Sequence, residues 1–525
     1  MSSVRDMDWR RTKRLSTGLF LLTLLAGASF GAANDGARLA DAAQSRDQVA
    51  VRTLLKQKVD VNAAQADGTT ALHWAADNDD LIIADLLIGA GANVKAETRY
   101  GLTPLYMACL NGSAAMIQKL LAAGADPNTA NRAGETALMT ASRTGKVDAV
   151  KVLLDHGATL NNRETVRGQT ALMWAVLEDH PDVVKLLLAK GADINMHTEV
   201  KVPDGVAVIP GPAQASGAGV SRQRALPSPS GAMTALLFAS RDGLLDMVKI
   251  LLDAKADINA VSANGTTPLI IAVINNHMQL AMELIARGAN PNIVDFYGRT
   301  PLIAAVDMRN LDHARTYADP KPDAVAPLDV ISALLAHGAD PNLQTQKTPV
   351  RGFFQGDMSW VSSDGQTPFL RAGLSGDVTV MKMLLEHGAN PNISTKEGTT
   401  VLMTVAGINW VTLQTFSRSD AEYLEAAKLC LDHGADVNAV NAEGFTAMHG
   451  AANRGFDAMV RLLASHGAKL DVKDKQGRTP MTFAHGVFLA GYPPQEKPST
   501  VALLHELMGD NKTSSTAGSA AGVKN

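Results

Sequence analysis

The histidines are the residues of this chain whose number and spacing most suggest chemistry. The chain has 13 of them, and five stand one position before a glycine that recurs at the end of most repeats: His156, His337, His387, His433 and His466. A metal ion needs ligand atoms within about 2 Å of one point. We expect these five imidazoles at the ends of separate helices spaced roughly 10 Å apart, where they can bond to the last carbonyls and interact with the helix dipole. The spacing therefore predicts a structural role and no metal site.

The other residues that could carry chemistry form no recognisable site. The run Asp77-Asn78-Asp79-Asp80 has the composition of a calcium loop, but the glycine and the bidentate glutamate of such a loop are absent at their positions. Two cysteines are too few for a four-cysteine zinc site. Motifs for a nucleophilic serine, a phosphate loop, a zinc protease or a dinucleotide site do not occur in a suitable context. We therefore predict no catalytic residue, no metal and no cofactor.

The elements that position these residues are predicted to be helices. Hydrophobic residues make up 46% of the chain but aromatic residues only 4%, so the apolar part is mostly Ala, Leu, Val, Ile and Met, which favour helices. Charged residues amount to 19%, with a formal net charge of −4. This balance argues against a disordered polyampholyte and against a nucleic-acid partner held by a basic surface.

The first 33 residues differ from the rest and predict a signal peptide. Five basic residues between Arg5 and Arg14 precede an uncharged run from Leu15 to Phe30, and small residues follow it. A basic segment, a short apolar run and a small-residue cleavage site are typical of secretion, and we place the cleavage after Ala33. We expect a periplasmic or secreted protein with no membrane contact after cleavage. An uncleaved signal anchor that tethers the chain to a membrane is the alternative.

A repeat with a period near 33 residues runs through the remainder. One phrase begins with a threonine at positions 70, 103 and 136 and returns at Thr170, Thr234, Thr267, Thr300, Thr367, Thr400, Thr446 and Thr479. A second phrase follows each copy, as in Gly124-Ala125-Asp126-Pro127-Asn128. Internal repeats of this length are the signature of stacked units that share one core.

The residues of one unit predict a pair of helices joined to a turn. Thr103 suits the N-cap of a first helix and Pro104 its first position, while Asn111-Gly112 ends it. The second helix has apolar residues at helical spacing, as in Val147, Val150 and Leu153, and Gly157 stops it.

These phrases resemble the ankyrin repeat, whose Thr-Pro-Leu-His-x-Ala pattern has the same length. Thr-Pro-Leu stands at 103–105, 267–269 and 300–302, and His73 and His449 occupy the histidine position. The resemblance implies an all-α ankyrin-repeat solenoid of about twelve helix-turn-helix repeats with β-turn fingers. We assign an N-terminal capping repeat to 34–66, the main repeats to 67–473, a C-terminal capping repeat to 474–509 and a disordered tail to 510–525. Cys109 and Cys430 then lie seven repeats apart, too far for a disulfide.

Four insertions interrupt the repeats. They fall at 197–230, 312–327, 345–361 and 407–419, and the last two contain Phe353, Phe354, Trp360, Trp410 and Phe416. Long loops in compact arrays are usually functional or disordered. We interpret these aromatic residues as local packing or partner contacts.

The resemblance also implies a binding surface, because ankyrin arrays bind partners mainly through a concave face made of turn tips and first-helix ends. In this sequence those positions are Asp77, Asn78, Arg99, Tyr100, Arg132, Glu135, Arg143, Arg167, Gln169, Glu178, Arg241, Asp242, Asn264, Phe296, Tyr297, Arg299 and Asp307. Towards the C-terminus they continue with Gln366, Glu443, Asn453 and Arg454. Arginine and tyrosine are common anchors of interfaces.

We therefore predict an exported scaffold that mediates protein–protein interaction through its concave face, with one or more proteins as partners. Three alternatives stay open. In the first the chain would be a host-directed effector, in the second an enzyme with a site built from the insertions, and in the third a protective partner of a co-exported redox enzyme.

Overall fold

A computed structural model describes residues 37–203, 228–310, 324–346, 361–362, 364–409, 418–489 and 493–509. The predicted signal peptide and C-terminal tail lie outside the described residues, as do the central parts of the four predicted insertions. Within the described part the regular elements are 24 helices, and β-pairing is limited to three isolated bridges.

The helices run in chain order as α1 (Arg38–Gln44), α2 (Gln48–Lys56), α3 (Ala71–Asp77), α4 (Leu81–Gly89), α5 (Pro104–Asn111), α6 (Ala114–Ala122), α7 (Ala137–Thr144), α8 (Val147–Asp155), α9 (Ala171–Leu177), α10 (Pro181–Ala189), α11 (Ala235–Arg241), α12 (Leu245–Asp253), α13 (Pro268–Ile274), α14 (Met278–Ala286), α15 (Pro301–Arg309), α16 (Pro327–Ala336), α17 (Pro368–Leu374), α18 (Val378–Glu386), α19 (Val401–Ala406), α20 (Asp420–Asp432), α21 (Ala447–Arg454), α22 (Asp457–Ser465), α23 (Pro480–His485) and α24 (Pro498–Met508).

Successive helices pair into twelve repeats, numbered here in chain order from repeat 1 (α1 and α2) to repeat 12 (α23 and α24). The chain forms two compact units, residues 1–131 and 132–525. Repeats 1 to 3 belong to the first unit and repeats 4 to 12 to the second. Inside each unit, the first helix of a repeat packs against its own second helix and against the first helix of the next repeat. The predicted all-α ankyrin fold is confirmed.

The repeated threonine begins each first helix, as predicted. The Thr103 hydroxyl accepts a hydrogen bond from the backbone N–H of Tyr106, and Pro104 occupies the first helical position. Gly112 then ends α5 in the left-handed conformation with φ +66°. Small residues such as Ala75 and Ala76 are fully buried, because neighbouring first helices approach closely there.

The second repeated phrase links one repeat to the next through asparagine. The Asn292 side chain donates to the Gly338 carbonyl at 2.9 Å and accepts from the Asp340 backbone N–H at 2.8 Å. Asn342 makes the same pair of bonds to Gly388 and Asn390. One amide therefore satisfies a donor and an acceptor of the following repeat, which explains why the phrase keeps an asparagine at its end.

Glycine is required where a histidine of the next repeat crosses the first-helix end. Gly145 has φ +72°, and a Cβ at this position would lie 2.6 Å from the imidazole of His180. The Nε2 atom of His180 reaches the Arg143 carbonyl at 2.9 Å. Gly243 and His277 repeat this arrangement, with Nε2 3.0 Å from the Arg241 carbonyl.

The five histidines at the ends of second helices form the hydrogen bonds that the sequence predicts. In each of the five, Nδ1 lies 2.8 to 2.9 Å from the carbonyl oxygen four residues earlier, at Val152, Ala333, Met383, Leu429 and Leu462. Asp80 caps α4 by accepting from the backbone N–H groups of Ile82 and Ile83, so the acidic run is a helix connection. In the described part of the chain, no three His, Cys, Asp or Glu side chains are grouped to hold a metal ion.

The histidines of the first-helix phrase are internal bonding groups. Nδ1 of His73 accepts from the Thr70 backbone N–H at 3.1 Å, so the proton is on Nε2, which donates to the Leu102 carbonyl at 2.9 Å. Burial lowers the pKa of His73, and also that of His449, which bonds to Thr446 and Arg478 in the same way. Both cysteines are buried; burial raises the pKa of the Cys430 thiol to about 12 and raises that of Cys109 as well.

Candidate partner-binding surface

The turn before each first helix is a finger, and hydrogen bonds join neighbouring fingers of the second unit. The Thr165 N–H donates to the Ala133 carbonyl, and the Glu199 N–H donates to the Arg167 carbonyl, both at 2.9 Å. The Ala263 N–H donates to the Gly231 carbonyl at 2.9 Å. The tips of repeats 4 to 7 are therefore held side by side at the spacing of the repeats.

In the first unit, the predicted residues divide into exposed and internal ones. Arg99 and Tyr100 are exposed at one fingertip, where the Arg99 guanidinium lies 4.7 Å from the Tyr100 ring centre and donates to its hydroxyl. Asp77 is exposed at the end of α3. Asn78 is half-buried and donates to the Ala43 and Gln44 carbonyls, so its amide joins repeats 1 and 2.

The fingers of repeats 4 to 6 present cations without carboxylate partners. Arg132 and Arg167, both predicted from the sequence, are exposed, and neither forms an ion pair with the described residues. Lys201 in the next finger is also exposed and forms no ion pair with the described residues. Arg163 is exposed and donates to the carbonyls of Gly168 and His197. We call Arg132, Arg163, Arg167 and Lys201 the fingertip patch.

The two described ends of the predicted insertion at 197–230 are paired in the finger of repeat 6 through antiparallel bridges. Lys201 and Ser230 exchange two backbone hydrogen bonds of 2.8 and 2.9 Å, and His197 pairs with Thr234. Gly231 has φ +98°, and a Cβ there would lie 1.8 Å from the Glu199 carbonyl oxygen. The described ends of this insertion therefore extend the finger.

A tryptophan that the sequence analysis missed lies among the predicted first-helix residues of repeats 4 and 5. The Arg143 guanidinium is 5.0 Å from the centre of the half-buried Trp174 ring, and its Nη1 lies 3.4 Å from a Glu135 carboxylate oxygen. The indole N–H of Trp174 is enclosed and has no acceptor among the described residues. Trp74, at the same position of repeat 2, donates to Gln65 at 2.8 Å. The recurrence of an aromatic residue four positions after the capping threonine was the available sequence signal.

Repeat 6 carries a related arrangement. Arg241 lies 5.1 Å from the Phe238 ring centre and forms a two-bond pair with the Asp242 carboxylate at 2.9 and 3.3 Å. Glu178, between these two groups in chain order, is half-buried at the end of α9. We call Glu135, Arg143, Trp174, Arg241 and Asp242 the first-helix cluster.

One predicted residue of this region is not accessible. Gln169 is only 5% exposed, and its backbone N–H donates to the buried carboxylate of Glu164. Placing it at the surface was wrong, because the finger of repeat 5 folds over this carboxylate, which also accepts from the N–H groups of Val166 and Arg167.

The predicted residues of repeats 7 and 8 bond mainly within the protein. The Asn264 side-chain oxygen accepts from the hydroxyls of Ser262 and Thr266 at 2.6 and 2.7 Å. Arg299 donates from Nε to buried Asp295 at 3.0 Å, and its Nη2 lies 2.8 Å away from the same oxygen. Phe296 and Tyr297 are half-buried and pack edge to face, with ring centres 5.3 Å apart.

Asp307 belongs to an internal network. Its carboxylate accepts from Nε of Arg371 at 2.5 Å, and Arg371 is only 3% exposed. Nη1 of Arg371 donates in turn to the Ser375 hydroxyl at 2.9 Å. Predicting Asp307 as a partner contact missed this ion pair, because its arginine is 64 residues away in the chain and one repeat further on.

A buried carboxylate forms a second set of ion pairs, which spans three repeats. The Asp377 side chain is 1% exposed and lies 2.8 Å from Nε of Arg309 and 2.9 Å from Nη2 of Arg418. Arg309 precedes the predicted insertion at 312–327, and Arg418 lies within the one at 407–419. Asn409 makes two hydrogen bonds to the backbone of Val361, at 2.9 and 3.0 Å. We call Asp307, Arg309, Arg371, Asp377 and Arg418 the arginine network.

The remaining C-terminal positions are also engaged. Gln366 is buried, and Glu443 lies 3.6 Å from Nζ of Lys475. Arg454 donates to Asp420 at 3.0 Å and lies 4.2 Å from the Tyr423 ring centre, while Asn453 is half-buried. The enzyme alternative depends on insertions whose central parts lie outside the described residues.

The comparison with family models agrees with this architecture. Models of ankyrin repeats match residues 39–131, 114–198, 236–345 and 417–487 in arrays of three copies, and a single ankyrin-repeat model matches 364–396. These matches span more than half of the chain, so it belongs to the ankyrin-repeat family. Repeats of this family generally bind other proteins and are typically non-catalytic. The search of curated proteins returned no match. Among the described helices, none is long and apolar enough to cross a membrane.

Proposed function

We propose that this protein is an exported scaffold that holds a partner protein on the surface made by its fingers and first helices, the concave face of ankyrin arrays. We place the centre of the contact in repeats 4 to 6. The observation that carries this choice is Trp174, a half-buried tryptophan stacked with Arg143 in the same stretch that presents unpaired cations.

The chemistry of this stretch suits an interface anchor. Tryptophan and arginine are enriched among the few residues that carry most of the binding energy of a protein interface. Arg143 is held by Glu135 and the Trp174 ring, and Arg241 by Asp242 and Phe238, so little side-chain freedom is lost on binding.

Export is the part of the proposal that rests on residues 1–33. Fractionation of the native source, followed by N-terminal sequencing, tests it. We expect the mature chain to begin at Asn34 in the periplasm or the medium. A full-length chain in the membrane fraction would instead support the signal anchor, and a full-length chain in the cytoplasm would contradict export.

The binding surface is tested by replacing its central residue. We expect Trp174→Ala to weaken binding of a partner, isolated by crosslinking to the full chain, by about 30-fold, the loss typical of an interface anchor. Phe488→Ala, at an exposed aromatic residue near the C-terminus, is the control and should change affinity by less than twofold. Affinity is measured by interferometry and the fold by circular dichroism. Equal affinity of wild type and Trp174→Ala, with both folded, would refute this location.

A further inference from the structure

We infer that the fingertip patch binds an acidic segment of the partner. This inference rests on the proposed function and adds the chemistry of what is bound. It follows from the charges that the described structure leaves unmatched, and from the spacing at which the fingers present them.

The positive charges of the patch exceed the negative charges around them. Four cations lie on three successive fingers, Arg132 on the first, Arg163 and Arg167 on the second and Lys201 on the third. Glu164 is buried and its oxygens accept three backbone N–H groups. Glu199 is exposed, while Glu135 is taken by Arg143. The described fingers of repeats 4 to 6 therefore leave a net positive surface.

The fingers of repeats 8 and 12, in the same unit, pair their cations with carboxylates. Arg299 pairs with Asp295 in repeat 8, and Arg478 pairs with Asp474 at 2.7 Å in repeat 12. Lys475 lies 3.6 Å from Glu443 of the preceding finger. An unmatched cation is thus not a general property of these turns, and its occurrence on three successive fingers sets repeats 4 to 6 apart.

The inserted segment adds more positive than negative charge next to the patch. The sequence from 204 to 227 contains three charged residues, Asp204, Arg222 and Arg224. Its one carboxylate is outweighed by two guanidinium groups, so its net charge is positive and does not balance the charge of the patch.

The spacing of the fingers defines a suitable ligand. Neighbouring repeats stack at about 10 Å, the usual distance between packed helices. A polyproline II segment rises about 3.1 Å per residue with three residues per turn, so acidic residues at every third position recur on one face at about 9 Å. Such a segment would place one carboxylate opposite each finger. Carboxylate–guanidinium pairs are charge-assisted and favour this register.

The test uses a fluorescein-labelled peptide, (Glu-Pro-Pro)5, with (Gln-Pro-Pro)5 as the neutral probe. Anisotropy measures binding to the full chain at about 50 and 300 mM salt. The variant is Arg132→Gln/Arg167→Gln/Lys201→Gln. The matched control, Lys151→Gln/Lys185→Gln/Lys249→Gln, removes the same charge from the second helices of the same three repeats. Both triple variants keep the N-terminal segment, so its contribution is constant.

We expect the acidic peptide to bind the wild type and the control equally, to bind the fingertip variant at least tenfold more weakly, and to dissociate at the higher salt. Three results would overturn the inference: no binding of the acidic peptide, an equal loss in both triple variants, or tighter patch-dependent binding of phosphatidylglycerol vesicles or of a 15-nucleotide single strand. A partner that loses affinity with Trp174→Ala but not with the fingertip variant would refute this inference and leave the proposed function standing. If the peptide binds through the patch while Trp174→Ala leaves partner binding unchanged, only the proposed location at Trp174 fails.

Discussion

Repeats 4 to 6 and repeats 8 to 10 use arginine in opposite ways. In repeats 4 to 6, Arg132 and Arg167 are exposed and form no ion pair with described residues. In repeats 8 to 10, Arg371 is buried against Asp307, and Arg309 and Arg418 share Asp377. The same residue type is thus exposed in one region and connects helices in the other. The difference teaches that an arginine within a repeat is not by itself a binding residue.

The largest expected effect is a loss of stability when the arginine network of repeats 8 to 10 is broken. Asp377→Asn leaves Arg309 and Arg418 without their shared carboxylate, and we expect a loss of about 3–5 kcal/mol in the free energy of unfolding. Urea unfolding followed by hydrogen exchange in repeats 8 to 10 measures it, because a repeat array need not unfold in one step.

Glu425→Gln is the control for Asp377→Asn. It breaks the exposed pair with Lys382 between repeats 9 and 10, for which we expect at most about 1 kcal/mol. The fingertip triple variant should be equally mild. A similar loss in all three would mean that burial does not distinguish the two regions.

A smaller difference in the free energy of unfolding is expected between two variants that each replace one arginine. Arg371→Gln removes a guanidinium that is almost fully buried, together with its ion pair to Asp307; we expect a loss of about 3 kcal/mol in the free energy of unfolding. Arg143→Gln removes a half-exposed guanidinium, and we expect about 1 kcal/mol or less. Denaturant midpoints at fixed salt compare the two. If Arg143→Gln proves the more destabilising, the first-helix cluster is structural and repeats 4 to 6 lose their special status.

The smallest expected effect on stability concerns two histidines of repeat 11, one buried and one exposed. Because burial lowers the pKa of His449, the unfolded chain takes up its proton at a higher pH than the folded protein does. The contribution of His449 to the free energy of unfolding is therefore fully present above the unfolded pKa of about 6.5. It falls as the pH drops below that value, by up to about 1.4 kcal/mol per pH unit. His449→Gln should flatten the fall between about pH 7 and pH 5, measured by thermal unfolding. His466→Gln, at the exposed histidine of the same repeat, is the control; an equal flattening would contradict the assignment.

The sequence predicted the repeat well because its signals are local. The capping threonines, the proline at the first helical position and the glycine stops lie within one helix of the feature that they determine, as at Thr103 and Gly112. The role of the asparagine in the second phrase was not predicted, since its partners lie in the next repeat.

The candidate site was predicted less completely. Exposure at Arg132 and Arg167 follows from their place in the finger, so the sequence was sufficient there. Asp307 depends on Arg371 in another repeat, and Gln169 on the folding of its finger over Glu164, neither of which a pattern of residue types specifies. Trp174 was missed because the search followed charged residues and tip positions.

Hydrogen exchange of the full chain with and without its captured partner tests the central claim most directly. The account predicts that binding slows exchange in the fingers and first helices of repeats 4 to 6, over residues 132–144, 163–178, 197–203 and 228–242, and leaves 300–310 and 364–377 unchanged. Protection confined to repeats 8 to 10, with repeats 4 to 6 unaffected, would contradict it and would make the arginine network part of the interface.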